Sequence, residues 1–295
     1  RNRAMSLPKF EYIKVKSIGE VCEALGKYKR KAKVMAGGTD LLVQMKDRVI
    51  TPEYVIGLRG VEGLGRVVYD RKEGLKIGAM ATHREVINSG VARRRYPSLV
   101  EALEKIGTGQ VRNMGTIGGN ICNAAPSADS APILIALGAE VRIAGANGER
   151  EVLLEKVFRG PRKTVLGADE VLVEIVVPNE RVHSGSHYEK LFARTSVDLA
   201  AVGAACWLIK DGKSGVIKDI KIVLGAVAPV PMRAKKAERV IKGKVVTEGL
   251  IKEAGEVAAG ESKPISDIRA SEEYRREMVK VMVRRAIKGA LGRIA

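Results

Sequence analysis

The stretch from Arg112 to Asp129 has the residue types of a ligand-binding turn. It reads RNMGTIGGNICNAAPSAD and combines glycines, hydroxyls, side-chain amides and one acid. Because neither Gly118 nor Gly119 carries a Cβ, a ligand could approach the main chain closely and φ could be positive. Successive backbone N–H groups in such a turn form a nest for anions, and Thr116 and Asn120 flank the turn with further donors.

A second stretch of the same kind, AGGTD at Ala36–Asp40, lies upstream and follows a strand-like run. A lone Gly-Gly pair is more often a plain turn that binds nothing. Two such turns in one domain favour a nucleotide pyrophosphate held between two loops. On this hypothesis, valine at Gly118 or Gly119 is expected to remove the ligand while leaving the fold largely intact, because the added side chain would meet the phosphate.

Other candidate groups give weaker signals. Asp129 either caps the helix that begins near Ala131 or accepts a hydrogen bond from a ligand, and the sequence leaves both open. His83 follows Thr82 at a helix start, where packing is favoured over ligand contact. Cys122 is expected to pack beside the ligand rather than to act as a nucleophile. No Ser/His/Asp or Cys/His set is readable, so no catalytic residue is assigned.

The common nucleotide fingerprints are absent. Gly107-Thr108-Gly109 begins a Rossmann pattern, but Arg112 stands where the third glycine belongs. Gly212-Lys213-Ser214 ends like a P-loop, but Trp207 occupies the position of its first glycine. The two glycine stretches are therefore the candidates for phosphate binding.

Length and composition indicate a globular chain of about two domains. It has 295 residues, of which 45% are hydrophobic, enough to bury a sizeable core. The longest apolar run, Leu199–Ile209, is too short to span a bilayer. The segment RNRAMSLPKF lacks the apolar core of a signal peptide, which predicts a cytoplasmic protein.

Cysteine and histidine usage limits the metal chemistry of the chain. Its three cysteines, Cys22, Cys122 and Cys206, stand far apart, which suits a reducing compartment. An iron–sulfur cluster usually needs four cysteine ligands, so this chain alone is not expected to ligate one. Three scattered histidines argue against a zinc site.

The net charge of +18 raises the alternative of nucleic-acid binding. The 52 lysines and arginines are spread along the chain among 34 acids, and only 4% of residues are aromatic, so bases would find few stacking partners. Short basic blocks such as Arg93–Arg95 are typical of solvated faces. Nucleic-acid binding is therefore disfavoured.

The element pattern predicts an α+β protein with an N-terminal domain at residues 5–178, in two subdomains at 5–59 and 60–178. The first subdomain is predicted as a βαβ-type unit, with Ser17 and Glu20 forming a capping box. Its predicted elements are strands at Lys9–Lys14, Ala32–Ala36 and Glu53–Leu58, and helices after Ser17 and at Leu41–Met45. The predicted elements of the second subdomain are hairpins at Gly65–Asp70/Gly74–Gly78 and Glu140–Ala144/Arg150–Leu154, helices at His83–Ser89, Pro97–Ile106 and Ala131–Leu137, and a strand at Glu170–Val177.

Residues 179–186 are polar and contain glycine and serine, which suits a domain boundary. The C-terminal domain, residues 187–295, is predicted as an antiparallel sheet backed by helices. Its predicted elements are strands at His187–Phe192, Ala200–Lys210 and Gly215–Val227, and helices at Pro231–Ile241, Thr247–Ala259 and Ser271–Leu291.

Six segments of the chain occur in the order found in one protein family. They are KVMAGGTDLL, KIGAMATHREV, RNMGTIGGNICNAAPSAD, GPRKTVL, YEKLFARTSVDLAAVG and ISDIRASEEYRREM. From about residue 7 to residue 292 the chain resembles the FAD-binding medium subunit of the molybdenum hydroxylases, which include aerobic carbon monoxide dehydrogenase, xanthine dehydrogenase and aldehyde oxidoreductases. The resemblance implies a PCMH-type FAD-binding module of two subdomains, followed by a C-terminal domain.

The resemblance also implies which residues bind FAD. The loops Met35–Leu41 and Thr116–Asn120 would hold the pyrophosphate through main-chain N–H groups, and Ile77 matches a position near the adenine. Asp129, Leu166 and Lys190 match positions at the ribityl chain or the isoalloxazine. The full set of expected cofactor-binding residues is Lys33, Val34, Met35, Ala36, Gly37, Gly38, Thr39, Asp40, Leu41, Ile77, Gly115, Thr116, Ile117, Gly118, Gly119, Asn120, Cys122, Asn123, Asp129, Leu166 and Lys190.

A family member of this kind is expected to transfer electrons as one subunit of a heteromeric enzyme. Its partners would be a large molybdopterin subunit and a small iron–sulfur subunit, which carry the molybdenum cofactor and the 2Fe–2S clusters. The FAD would pass electrons to an external acceptor, with no metal, nucleic acid or membrane span on this chain. The alternative is a self-sufficient FAD-dependent oxidoreductase of the same fold superfamily.

Overall fold

The computed structural model describes residues 6–192 and 198–294. Within these ranges the chain forms mixed helix and sheet structure, which confirms the predicted α+β class. The ends of the predicted domains at residues 5 and 295, and part of the YEKLFARTSVDLAAVG segment, lie outside the described residues. No helix in the described part of the chain is both long enough and apolar enough to cross a membrane.

The first unit is the predicted βαβ arrangement. Its three strands form a parallel sheet in the order β1-β3-β2. Ser17 Oγ accepts from the Glu20 backbone N–H at 3.2 Å, but the Glu20 carboxylate accepts from Lys16, so the predicted capping box is incomplete. The elements are β1 Glu11–Lys14, α1 Ile18–Tyr28, β2 Ala32–Met35, α2 Leu41–Lys46 and β3 Tyr54–Gly57.

The second unit contains a five-stranded antiparallel sheet in the order β4-β5-β10-β6-β7, covered by helices. Both predicted hairpins are confirmed. The helix start at Thr82 is also confirmed, with a complete Thr82–Glu85 capping box. The elements are β4 Val67–Asp70, β5 Gly74–Gly78, α3 His83–Asn88, α4 Gly90–Arg95, α5 Pro97–Glu104, α6 Gly109–Met114, α7 Ile117–Asn123, α8 Ser130–Leu137, β6 Glu140–Gly145, β7 Gly148–Leu153, β8 Phe158–Gly160, β9 Lys163–Thr164 and β10 Val171–Val177.

The third unit is a four-stranded antiparallel sheet in the order β11-β12-β13-β14, with three helices. The strand predicted from His187 already begins at Ser184, inside the proposed boundary. The helix predicted from Pro231 begins only at Lys235, because Met232–Arg233 pairs with β13 as an edge strand. The elements are β11 Ser184–Phe192, β12 Ala200–Lys210, β13 Ile217–Gly225, β14 Met232–Arg233, α9 Lys235–Ile241, α10 Glu248–Glu261 and α11 Glu272–Leu291.

Strand β12 joins the third unit to the second, because it is buried on both faces. Ala205 and Trp207 belong to the core cluster of the second unit, whereas Ala204, Cys206 and Leu208 belong to the cluster under helices α9–α11. A strand covered on both sides reads as a continuous apolar run rather than an alternating one. This explains why the longest apolar run of the chain is a strand.

Candidate functional site

The first glycine loop connects β2 to α2 and offers a row of backbone donors. None of the N–H groups from Gly37 to Leu41 has a hydrogen-bond acceptor among residues 6–192 and 198–294. Gly38 has a φ of +75°, a left-handed conformation that glycine adopts without strain. Consecutive N–H groups that have no acceptor within the described residues form a nest that suits an anion.

The second glycine stretch is not a loop but two short helices, α6 and α7, joined at Gly115-Thr116. Gly118 and Gly119 lie in the first turn of α7, and neither has a positive φ. Thr116 caps this helix, since its Oγ1 accepts from Gly119 N–H at 3.0 Å. The Gly118 and Asn120 N–H groups donate to Ala79 O and Thr116 O at 3.1 and 3.0 Å.

The N–H groups of Gly118 and Gly119 already have acceptors within the protein, so they do not form the expected anion nest in this structure, and contact of this segment with a cofactor stays a prediction. Gly118 is required for packing instead: a Cβ there would lie 2.6 Å from Ala79 O. A valine at Gly118 would disturb the fold itself, contrary to the expectation that it would remove only the ligand.

The two glycine segments nevertheless meet. A Cβ on Gly37 would overlap the Met114 carbonyl oxygen, so the main chain of the first loop lies directly against the end of α6. A Cβ on Gly119 would lie 3.7 Å from the Cβ of Ala36. The two stretches therefore form two walls of one site, as the sequence predicted.

Between these walls lies a cavity of about 430 Å³, within the range of small-molecule and cofactor sites. Most of the predicted residues line it: Lys33, Val34, Ala36, Gly37, Gly38, Thr39, Asp40, Leu41, Thr116, Gly118, Gly119, Asn120, Cys122, Asn123 and Leu166. Sequence reasoning missed another group of lining residues: Gln44, Val49, Ile50, Leu58, Ala79, Arg162, Glu170, Val171 and Leu172. Arg162 lies in the GPRKTVL segment, so the family resemblance of that segment could have pointed to this residue.

The polar wall of the cavity is held by side-chain amides. Asn123 Nδ2 donates to Asp40 Oδ1 at 3.0 Å, and Gln44 Nε2 donates to Asn123 Oδ1 at 3.4 Å. Asn120 Oδ1 accepts from Ser130 Oγ at 2.5 Å, which leaves its Nδ2 available as a donor. The surrounding protein raises the pKa of Asp40 by desolvation, while the positive charge of Arg162 acts in the opposite direction.

Asp129 and Lys190 are paired with each other. Lys190 Nζ lies 2.9 Å from Asp129 Oδ2, and Tyr188 Oη donates to Asp129 Oδ1 at 2.7 Å. Asp129 occupies the N-cap position of α8, but its side chain makes no capping hydrogen bond, so the capping alternative is wrong. Only 1% of the Lys190 side chain is exposed, and the pair joins the N-terminal units to strand β11. Contact of either residue with a ligand stays a prediction.

Four further expected residues do not line the cavity surface. Ile77 and Ile117 are fully buried in the core of the second unit. Gly115 forms the junction between α6 and α7, and Met35 ends β2 immediately before the first loop. Direct contact of these four residues with a cofactor stays a prediction.

His83 is buried behind the second glycine segment. Its backbone N–H donates to Gly115 O at 3.0 Å, and its Nδ1 has no hydrogen-bond partner among residues 6–192 and 198–294. His83 is 2% exposed as a whole residue, which agrees with packing at a helix start. Desolvation, together with the charge of Arg112, lowers the pKa of His83 to about 4. The imidazole is therefore neutral at pH 7.

This shift predicts a pH-dependent loss of stability. The His83 pKa falls from 6.5 to about 4 on folding, so the unfolded chain takes up a proton first as the pH drops. Above pH 6.5 the imidazole is neutral in both the folded and the unfolded chain, so it does not reduce the free energy of unfolding. Between pH 6.5 and pH 4 the free energy of unfolding falls by about 1.4 kcal/mol per pH unit. Between pH 7 and 4.5 the wild type should lose about 2 kcal/mol more free energy of unfolding in urea than His83→Gln. Equal losses in both proteins would contradict this assignment.

Among the described residues, no three histidine, cysteine, aspartate or glutamate side chains are grouped so that they could hold a metal ion. The cavity has instead the features that a dinucleotide requires. A run of unpaired N–H groups suits a pyrophosphate, and amide side chains and apolar residues such as Val34 and Leu172 line the remainder. The residues present thus fit a dinucleotide cofactor.

Comparisons with known proteins identify the family of this chain. Residues 8–180 match the family described as FAD binding domain in molybdopterin dehydrogenase, and residues 187–290 match the CO dehydrogenase flavoprotein C-terminal domain. The chain is 37% identical over 290 residues to the carbon monoxide dehydrogenase medium chain of Hydrogenophaga pseudoflava, covering 98% of this chain and 99% of that one. It is 34% identical over 284 residues to the glyceraldehyde dehydrogenase medium chain of Sulfolobus acidocaldarius, covering 95% of this chain and 98% of that one.

The fold agrees over the same extent. A chain of the solved carbon monoxide dehydrogenase from Hydrogenophaga pseudoflava that lacks the Mo-pyranopterin moiety superimposes with a TM-score of 0.95. At 37% identity the alignment covers 99% of this chain and 100% of that chain. The chain therefore belongs to the family of FAD-binding medium subunits of the molybdenum hydroxylases.

Proposed function

We propose that this chain carries the FAD of a heteromeric molybdenum-dependent hydroxylase or dehydrogenase and passes electrons from the iron–sulfur clusters of a small subunit to an external acceptor. Substrate oxidation would take place at a molybdenum cofactor on a large subunit. The observation that carries the proposal is the row of unpaired N–H groups from Gly37 to Leu41 at the cavity formed by both glycine segments.

When bound, FAD supplies the redox chemistry, because it accepts and releases electrons singly or in pairs. The residues of this chain would bind and orient it. The Gly37–Leu41 N–H groups would hold the pyrophosphate, and the amides of Asn120 and Asn123 would supply further donors. Val34, Leu166 and Leu172 would exclude water from the apolar part of the cofactor.

The separation of tasks among subunits is supported by the absence of cluster ligands. Cys22 and Cys206 are buried far apart in different core clusters, and Cys122 alone among the cysteines lies on the cavity wall. A net charge of +18 would favour docking to acidic partner subunits, because complementary charge accelerates association. Three dispersed free cysteines also support a location in the reducing cytoplasm.

The bound cofactor should be FAD held without a covalent bond. The unpaired N–H groups suit a dinucleotide, and no histidine lies on the cavity wall to form an attachment. Acid precipitation should release all of the flavin, which should migrate as FAD in chromatography. Cys122→Ser should give the same result as the wild type. Flavin recovered as FMN, or only as a protein-linked adduct, would contradict this prediction.

The first loop can be tested with a pair of glycine variants. Gly38→Val should reduce FAD affinity at least tenfold, because a side chain at a φ of +75° forces the loop to change its array of donors. Gly215 has a φ of +70° with no atom near its added Cβ, so Gly215→Val carries similar strain in the third unit. Both variants should lose about 1–2 kcal/mol of stability.

Titration of the two apoproteins with FAD separates strain from binding. Gly215→Val should retain wild-type affinity, so that only Gly38→Val loses the cofactor. Equal FAD affinity in the two variants would show that the loop does not hold the pyrophosphate.

The isolated chain should not oxidise a metabolic substrate by itself. Aldehydes, purines and carbon monoxide should leave its flavin absorbance unchanged, whereas the chemically reduced protein should be reoxidised by an artificial acceptor. Activity should return only when the small and large subunits are added. Rapid bleaching of the isolated chain by any of these substrates would favour the self-sufficient oxidoreductase instead.

A further inference from the structure

Arg162 occupies a backbone position that normally favours glycine. Strands β8 and β9 pair with Gly160 opposite Lys163, so Pro161 and Arg162 form the connection between them. Arg162 has a φ of +58°. Proline followed by a residue with positive φ is the pattern of a type II turn, in which the second position is usually glycine or asparagine. An arginine here places the backbone under strain that glycine would relieve.

The contacts of Arg162 within the protein do not explain the choice of arginine. Its backbone N–H donates to Ala124 O at 3.0 Å, a bond that almost any residue could make. Its side chain forms no hydrogen bond and no ion pair within 4 Å with the described residues. The side chain is exposed and lines the cavity. Contacts within the described residues therefore do not explain why the side chain at this position carries a guanidinium group.

The charges around the cavity favour an anion near Arg162. Glu170 is neutralised by a two-pronged pair with Arg150, with both N–O distances at 2.7 Å. Lys33 adds a second exposed cation on the cavity surface. The charge of Arg162 acts on Asp40, which lies inside the loop of unpaired N–H groups. Arg162 and the Gly37–Leu41 loop line the same cavity, so a ligand in that cavity can meet both.

We propose that Arg162 binds the cofactor pyrophosphate together with the N–H groups of Gly37–Leu41. The inference rests on the proposed function and adds a residue to it. A planar guanidinium matches two phosphate oxygens at once, and such charge-assisted bonds are the stronger kind. The turn with positive φ carries this side chain to the cavity.

The test compares three variants by FAD binding and by the melting temperature of the apoprotein. Arg162→Gly should lower FAD affinity by about tenfold to a hundredfold, since it removes charge-assisted hydrogen bonds. The same variant should raise the apoprotein melting temperature, because glycine relieves the positive φ. Arg162→Lys should retain part of the affinity, as it keeps the charge but loses the two-pronged geometry.

Lys29→Gly is the matched control. Lys29 also combines a positive charge with a positive φ, here +50°, but it lies at the end of α1 and does not line the cavity. It should leave FAD affinity within about twofold of the wild type. The loss of FAD affinity in Arg162→Gly should also be smaller in 1 M salt, because the Debye length there is only about 3 Å and the charge of the arginine is screened.

An Arg162→Gly protein whose FAD affinity stays within twofold of Lys29→Gly would overturn the proposal while leaving the proposed function in place. A wild-type apoprotein that binds no FAD would overturn the proposed function itself. For Arg162→Gly we expect a higher apoprotein melting temperature together with a lower FAD affinity. A purely structural role of Arg162 would not produce this combination.

Discussion

The site depends on one close contact between two main-chain segments that are far apart in the sequence. Gly37 lies against the carbonyl of Met114, and even a methyl group at residue 37 would overlap that oxygen. This contact brings the loop after β2 next to the helices α6 and α7, so that residues from two separate sheets line one cavity. The absence of a side chain at Gly37 therefore matters for the assembly of the protein before it matters for any ligand.

The two glycine segments contribute to the site in different ways. The N–H groups of the first loop have no acceptor in the described part of the chain, whereas those of the first turn of α7 are all bonded to Thr116, Ala79 or Ala81. The first segment offers donors, and the second offers a wall that can approach closely because Gly118 and Gly119 are small. Two motifs that look alike in the sequence thus have different physical roles.

The sequence predicted most of the elements and the meeting of the two glycine segments, but several features depend on tertiary structure. Helical hydrogen bonding in α7 could not be distinguished from a glycine-rich turn, since glycine is a poor helix former and gives no periodic signal. The pairing of Asp129 with Lys190 joins residues that only the packing of β11 on the N-terminal units brings together. The GPRKTVL segment pointed to the region of Arg162, but the positive φ that singles out this residue is a property of the backbone, which residue type alone does not reveal.

The double-sided burial of β12 has a consequence for how the molecule folds. Its side chains complete two cores at once, alternating between the second unit and the helices α9–α11. Because both cores pack on the same strand, we expect a substitution that weakens one core to weaken the packing of the other. In the described part of the chain the C-terminal helices line no part of the cavity, yet they share β12 with the second unit, whose residues Ala79, Gly118 and Leu172 do line it, so we expect damage to the helical core to weaken flavin binding indirectly.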